Sequence, residues 1–396
     1  MSHLSHRQVA FLLTGAVTAL FVLLVLAFSF LRPMTPSAVT GARTVADCAM
    51  QNSNAAETLV PTPPAGEAIF AASGPSTQRI AVADDLPLAE PYSVRWRTGI
   101  GVPMGDPYFY RWPDPRPGWY LNWRADPVAA DAERLGLEFT PMVRMSNNTL
   151  RPSIDEIHRL ATQHRGQTWL IGNEPDVRWQ DDASPEEYAC YYHFAYQAIK
   201  SADPTAQVAI GGVSQVTPLR LAYLDRVLAS YQGQFDSDMP VDIWNMHAFV
   251  LREEAGAWGV GLPPGFDDDS MGVRWEIDDH DKLILVENQV RLMRSWMAAR
   301  GQRDKPLIIS EYGILMPAEF GFDPFRTIQF MIGSFDLFQR LRDDELGYPA
   351  DDNRLVQRWV WFSTWMDLYP TGNLFDENGE PLPPMRAMSG YLRSKE

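Results

Sequence analysis

The chain is poor in cysteine. Only Cys48 and Cys190 occur among 396 residues. Neither lies in a CxxC pair or at metal-ligand spacing, which excludes a disulfide framework and a cysteine-held metal site. A bridge between them is open, but two free or buried thiols are the preferred reading. Positive charge is also scarce: 34 Lys and Arg stand against 50 Asp and Glu, a net charge of −16. So acidic a chain repels a phosphate backbone, so nucleic acid is not expected as a partner. No His-x-His or similar ligand set appears at a strand end, so no metal or cofactor is called for. No internal repeat is detectable.

What is present begins with an apolar run. Ala10 to Leu31 is uncharged and dominated by Leu, Val, Ala and Phe. As a helix it reaches roughly 33 Å, enough to cross a hydrocarbon core of roughly 30 Å. It is longer than a signal-peptide core, and no convincing A-x-A site follows. The expectation is a cytoplasmic tail and uncleaved transmembrane signal anchor over residues 1–31, contacting the bilayer through residues 10–31. The large domain is then extracytoplasmic, or secreted if the segment is cleaved. Residues 32–88 have the Ala, Pro, Ser and Thr composition of a linker.

Residues 89–396 read as one domain. Eight strand-like runs stand out: Val94–Val102, Trp119–Trp123, Glu138–Met145, Thr168–Gly172, Gln207–Val213, Val241–Ala248, Leu307–Ser310 and Arg358–Thr364. Several are continuous apolar runs, as in strands buried on both faces. Helical patterns separate most of them. Ser153–His164 opens on a capping box, Ser153 with Glu156, and Ser184–Ala202 opens on Ser-Pro. Leu219–Tyr231, Lys282–Arg300 and Pro324–Arg342 are the other helical runs. Alternating strands and helices predict an α/β fold, a (β/α)8 TIM barrel. Five prolines between Pro103 and Pro117 exclude a helix from the first βα unit. Leu251–Asp281 also reads as loop.

Two glutamates end such strands. Glu174 closes Thr168-Trp169-Leu170-Ile171-Gly172-Asn173-Glu174-Pro175, and Glu311 closes Pro306-Leu307-Ile308-Ile309-Ser310-Glu311. A carboxylate at a buried strand tip is costly without partners, so a pair at the fourth and seventh of eight strands suggests an acid/base pair facing one cleft. Cleavage of a glycosidic bond needs such a pair. Other strand tips on the same face are Asn122, Trp123, Arg144, Asn173, His247, Tyr312 and Trp365, which form the candidate substrate-binding set. Asp267-Asp268-Asp269 and Asp278-Asp279-His280-Asp281 match no calcium-loop spacing and read as solvated acidic loop.

Gly172-Asn173-Glu174-Pro175, Ser310-Glu311-Tyr312-Gly313, His247, Trp365 and the tail Gly372–Pro381 resemble clan A glycoside hydrolases. The resemblance covers roughly residues 90–396. It implies a retaining double displacement with Glu174 as acid/base and Glu311 as nucleophile; taken with the membrane anchor, the expected substrate is an extracellular or cell-envelope polysaccharide or oligosaccharide. It also implies that Asn173 holds the sugar 2-hydroxyl, that His247 orients the nucleophile, and that Arg97 or Arg144 supports it, with Arg144 preferred. Carboxyl groups about 5 Å apart are expected, with Glu174 raised by the neighbouring Glu311 charge. Trp112, Trp119, Trp179, Trp258 and Trp275 are stacking candidates. The competing reading is a barrel without turnover, a membrane-anchored carbohydrate-binding or scaffolding protein. A third is a metal-dependent barrel hydrolase built on the acidic loop.

Overall fold

A computed structural model describes residues 86–396 apart from residues 130, 147, 148 and 269. The expected membrane span, Cys48 and nearly all of the linker lie outside the described residues. Among the described residues no helix is long and apolar enough to cross a membrane.

The core is a ring of parallel strands. β1 (Thr98–Gly101) lies between β2 (Trp119–Leu121) and β10 (Arg358–Trp361). β10 continues to β9 (Leu307–Tyr312), and β9 to β8 (Trp244–His247). On the other side β2 pairs β3 (Glu138–Phe139). A second sheet joins β4 (Met142–Ser146), β6 (Thr168–Ile171) and β7 (Gln207–Ile210). β3 and β4 belong to one run broken at Thr140-Pro141, where proline supplies no N–H to the ladder. The Pro141 carbonyl still accepts from Leu170 N at 2.9 Å. At the other junction β7 and β8 meet through single bridges, Ala209 to Ile243 and Val213 to Met246. The ring therefore closes on eight strand positions, all parallel, as the sequence pattern predicts.

Among the described residues six helices cover it: α2 (Ile154–Gln163), α3 (Pro185–Ala202), α4 (Pro218–Phe235), α5 (Leu283–Ala299), α6 (Pro324–Arg340) and α7 (Pro383–Arg393). Local chemistry sets their starts. Ser184 and Glu187 form a reciprocal capping box at α3. At α2 only half of the expected box exists, because Glu156 pairs with Arg159 rather than reaching back to Ser153. The first strand is shorter than its apolar run: Val94–Arg97 is a one-turn helix, α1, capped by Ser93 Oγ accepting from Trp96 N. Among the described residues no α-helix follows β1, as the prolines require, and none follows β2, where the 3-10 turn Ala132–Arg134 stands. β5 (Thr149–Arg151) folds back antiparallel on β4, a hairpin absent from the strand reading.

Cys190, in α3, is disulfide-bonded. This corrects the expectation of free or buried thiols. Periodicity shows how a helix packs, not whether a distant thiol reaches it.

Candidate active site

Glu174 and Glu311 come together, almost wholly buried, in one pocket-like cluster with His247 at the C-terminal ends of the strands. Glu311 is the fifth residue of β9, and a register shift beside Met246 sets it opposite His247 of β8. Glu174 follows β6 in a left-handed backbone, φ 45°, and its N–H donates to Gly212 O at 3.0 Å. A Cβ at Gly212 would run into the His247 ring, so only glycine lets that strand pass behind the imidazole. His247 Nδ1 is 2.9 Å from Glu174 Oε1, and its Nε2 is 3.6 Å from Glu311 Oε1. One carboxylate oxygen from each glutamate and a His247 ring nitrogen all lie within 4.8 Å of one another. Trp123 Nε1 donates to Glu311 Oε1 at 2.6 Å.

Burial sets the electrostatics. It raises the Glu311 carboxyl to about 7; the His247 charge opposes this, the Glu174 charge adds to it, and the Trp123 N–H favours the ionised form. For His247, burial disfavours the imidazolium, but the Glu311 charge and the Glu174 hydrogen bond outweigh it and the pKa rises. Tyr369, beyond β10, is raised to about 12 by burial and by the charges of Glu174 and Glu311. It belongs to the pocket, yet nothing in its sequence neighbourhood marks it.

The other strand-tip residues divide. Asn173 is buried; its Nδ2 donates to Gln180 Oε1 at 3.3 Å and its Oδ1 has no hydrogen-bond partner. That free acceptor stands next to Glu174 in the chain. Arg144 does not hold Glu311. It pairs with Asp181 at 2.6 Å, and Asp181 accepts from Asn173 N at 2.8 Å, so Arg144 supports the Asn173–Glu174 turn instead. Arg97 is also excluded from that role, being bonded to Asp351 through both Nη atoms. Asn122 is a correction: its Oδ1 accepts from Arg124 N and its Nδ2 donates to Asp126 O, so both ends clamp a turn. Tyr312 is another. It is buried among Phe330, Phe338 and Trp361, and its hydroxyl accepts from Ser334 Oγ. Alternation along β9 turns it away from Glu311. The hydrogen bond of His247 goes to Glu174, not to Glu311 as the expected orienting role requires. Trp365 is half-buried against the core just past β10. Among the stacking candidates Trp119 is core, under Arg358, whereas Trp179 is 57% exposed on the loop after Glu174.

Beneath the pocket lies a charge cluster that sequence reasoning missed. Arg220 bonds Asp176 at 3.1 Å and Glu253 at 3.0 Å, and all three are buried. Three of the loop's aspartates are paired: Asp279 with Lys282, Asp281 with Arg326 of α6, and Asp268 with Ser270. Glu174, His247 and Glu311 are the only potential three-ligand set among the described residues. Their closest pair is joined as hydrogen-bond donor and acceptor, so the trio is read as an acid/base unit.

Against known proteins, residues 113–258 match the family model described as "Glycosyl hydrolase catalytic core". That stretch, well under half of the chain, contains Asn173, Glu174 and His247 but not Glu311. No curated protein matches. Solved structures of similar shape include a GH128 (subgroup II) endo-beta-1,3-glucanase from Sorangium cellulosum, 17% identical, TM-score 0.48, covering 75% of this chain and 97% of that one. Another is a GH128 (subgroup III) curdlan-specific exo-beta-1,3-glucanase from Blastomyces gilchristii in complex with glucose, 17% identical, TM-score 0.48, covering 74% and 97%. A GH128 (subgroup I) endo-beta-1,3-glucanase from Amycolatopsis mediterranei in complex with laminaritriose is 16% identical, TM-score 0.45, covering 74% and 99%. The class defined by fold and site is a parallel α/β barrel with paired carboxylates. Over residues 113–258 it is similar to the catalytic core of glycosyl hydrolases.

Proposed function

We propose that this chain is a retaining glycoside hydrolase acting on a polysaccharide or oligosaccharide. One observation carries the reading: Glu174 and Glu311 share a single pocket with their nearest oxygens within 4.8 Å. That closeness is compatible with direct attack by one carboxylate on a sugar held between the two, the retaining arrangement. Ionised Glu311 attacks the anomeric carbon while Glu174 protonates the departing oxygen. Glu174 then takes a proton from the water that frees the glycosyl-enzyme. His247 holds the Glu174 carboxyl through Nδ1, and the Asn173 Oδ1 acceptor is offered to a sugar hydroxyl. The placement of Glu174 just after the fourth ring strand and of Glu311 near the end of the seventh supports the clan A resemblance.

We also place the domain outside the cytoplasm, anchored through residues 10–31 or secreted after cleavage. The Cys190 disulfide supports this, because such bonds persist in oxidising compartments. The test is full-length protein on a panel of polysaccharides that includes β-glucans, with the anomer of the first product followed by NMR. Retention is expected, and Glu311→Gln should lower kcat by roughly three orders of magnitude or more. Product of inverted anomer rejects the mechanism. Tight saccharide binding without turnover returns the barrel to the scaffolding reading.

A further inference from the structure

Glu311 lacks the partner that the resemblance implies. Arg97 is spent on Asp351, and Arg144 on Asp181. The group that does touch Glu311 is the indole of Trp123, 2.6 Å away. The surrounding structure is built to keep it there. Trp123 sits in a left-handed backbone, φ 56°, which a bulky residue adopts only when its surroundings enforce it. Asn122 enforces it by clamping the turn at Arg124 N and Asp126 O. Phe362 meets the ring edge-on at 5.6 Å. Gly101 of β1 gives the ring its berth, since a Cβ there would lie 2.6 Å from Trp123 Cη2.

We propose that Trp123 is the positioning residue of the nucleophile, its indole N–H holding Glu311 in the attacking rotamer in the place of an arginine. The proposal rests on Glu311 being the nucleophile. A neutral donor fixes the carboxylate and favours its ionised form, but adds no cation to the pocket. The charged and titratable groups facing Glu311 are His247 from β8, Glu174 beyond β6, Arg144 from β4 and Tyr369 beyond β10, with Asp176 behind His247. Only His247 and Arg144 among them favour the charged carboxylate, and neither donates a hydrogen bond to it among the contacts seen.

The test is Trp123→Phe, which keeps a ring and removes the donor. We expect kcat to fall roughly 10- to 100-fold, the value of one hydrogen bond to a charged group, with KM little changed. The acidic limb of the pH–rate profile should move to higher pH, because a group favouring ionised Glu311 is gone. A purely stacking role predicts the reverse: KM rises and the limb stays, and that outcome overturns the proposal. Gly101→Ala serves as a second variant, displacing the ring while keeping the indole; it should reproduce the kcat loss. An arm independent of turnover is the indole N–H resonance. It should lie downfield, follow the titration of Glu311, and lose that titration in Glu311→Gln. An indole resonance blind to Glu311 rejects the bond even if the chain has no hydrolase activity. A responsive resonance in an inactive protein leaves the bond standing and rejects the functional reading instead.

Discussion

A carboxylate sealed in a pocket with a second carboxylate must be ionised to act as a nucleophile, yet burial holds Glu311 at about 7. Turnover should therefore weaken as the pH falls below about 7, since protonated Glu311 cannot attack. A kcat/KM profile whose acidic limb lies below pH 5 would remove this assignment. The same shift fixes a stability trend. The folded-state pKa is above the ordinary 4.5, so between about 4.5 and 7 the folded state holds more protons and stability falls as the pH rises. Glu311→Gln removes that penalty. The variant should unfold at higher denaturant at pH 8 by roughly 1–3 kcal/mol and match the parent near pH 4.5. The glutamate pair is legible in the sequence because strand tips in buried apolar runs rarely carry charge. Asn122, Arg144 and Tyr312 mislead because their partners are a turn backbone, Asp181 37 residues beyond Arg144, and Ser334 of α6, which no periodicity encodes.

At the scale of elements, the long loop Leu251–Asp281 is fastened from below and from the side. Arg220 of α4 bridges Asp176, next to the Glu174 turn, and Glu253, inside the loop, and also donates to Gly261 O at 2.6 Å. Arg220→Met strands two buried carboxylates and should cost about 3–5 kcal/mol by denaturant midpoint. A loss below about 1 kcal/mol would mean water already reaches the cluster. At the side, His280 joins the strand-end loops: Nδ1 lies 3.0 Å from Val250 O, and Nε2 accepts from Leu315 N at 2.9 Å. That pattern requires neutral imidazole, and burial lowers its pKa to about 4. A depressed histidine contributes stability above pH 6.5 that is lost as the pH falls toward 4, at most about 3 kcal/mol. This opposes the Glu311 trend between 4.5 and 6.5, so the two separate only by mutation. His280→Gln should flatten the acid side of the stability curve. The helices and the missing first βα helix are legible because Ser-Pro starts, apolar stripes and a proline run act locally. The α1 turn and the β5 hairpin are not, since apolar β-branched residues alone do not mark where a strand begins or doubles back.

For the whole molecule, the closure of the ring decides whether there is a site at all. The seam between β7 and β8 separates the Glu174 side from the Glu311 side, and it has the sparsest ladder. Asp242 N and Ile243 N both donate to Val208 O, and His247 N donates to Val213 O at 2.8 Å. Asn245 supplies what the backbone leaves out. Its Nδ2 donates to Ile210 O of β7 at 3.1 Å, and its Oδ1 accepts from Ser310 N of β9 at 3.2 Å. One buried amide thus ties three adjacent strands and sits one residue from Glu311 through Ser310. Asn245→Ala leaves a buried carbonyl and a buried N–H unpaired, which should cost about 2–4 kcal/mol. If the seam sets the carboxylate spacing, that variant should also lose kcat in excess of any folding defect, and the amides of Ile243 and His247 should exchange faster than those of β9. Uniform exchange around the ring with unchanged kcat would show that the helices, not the strand ladder, hold the two glutamates together.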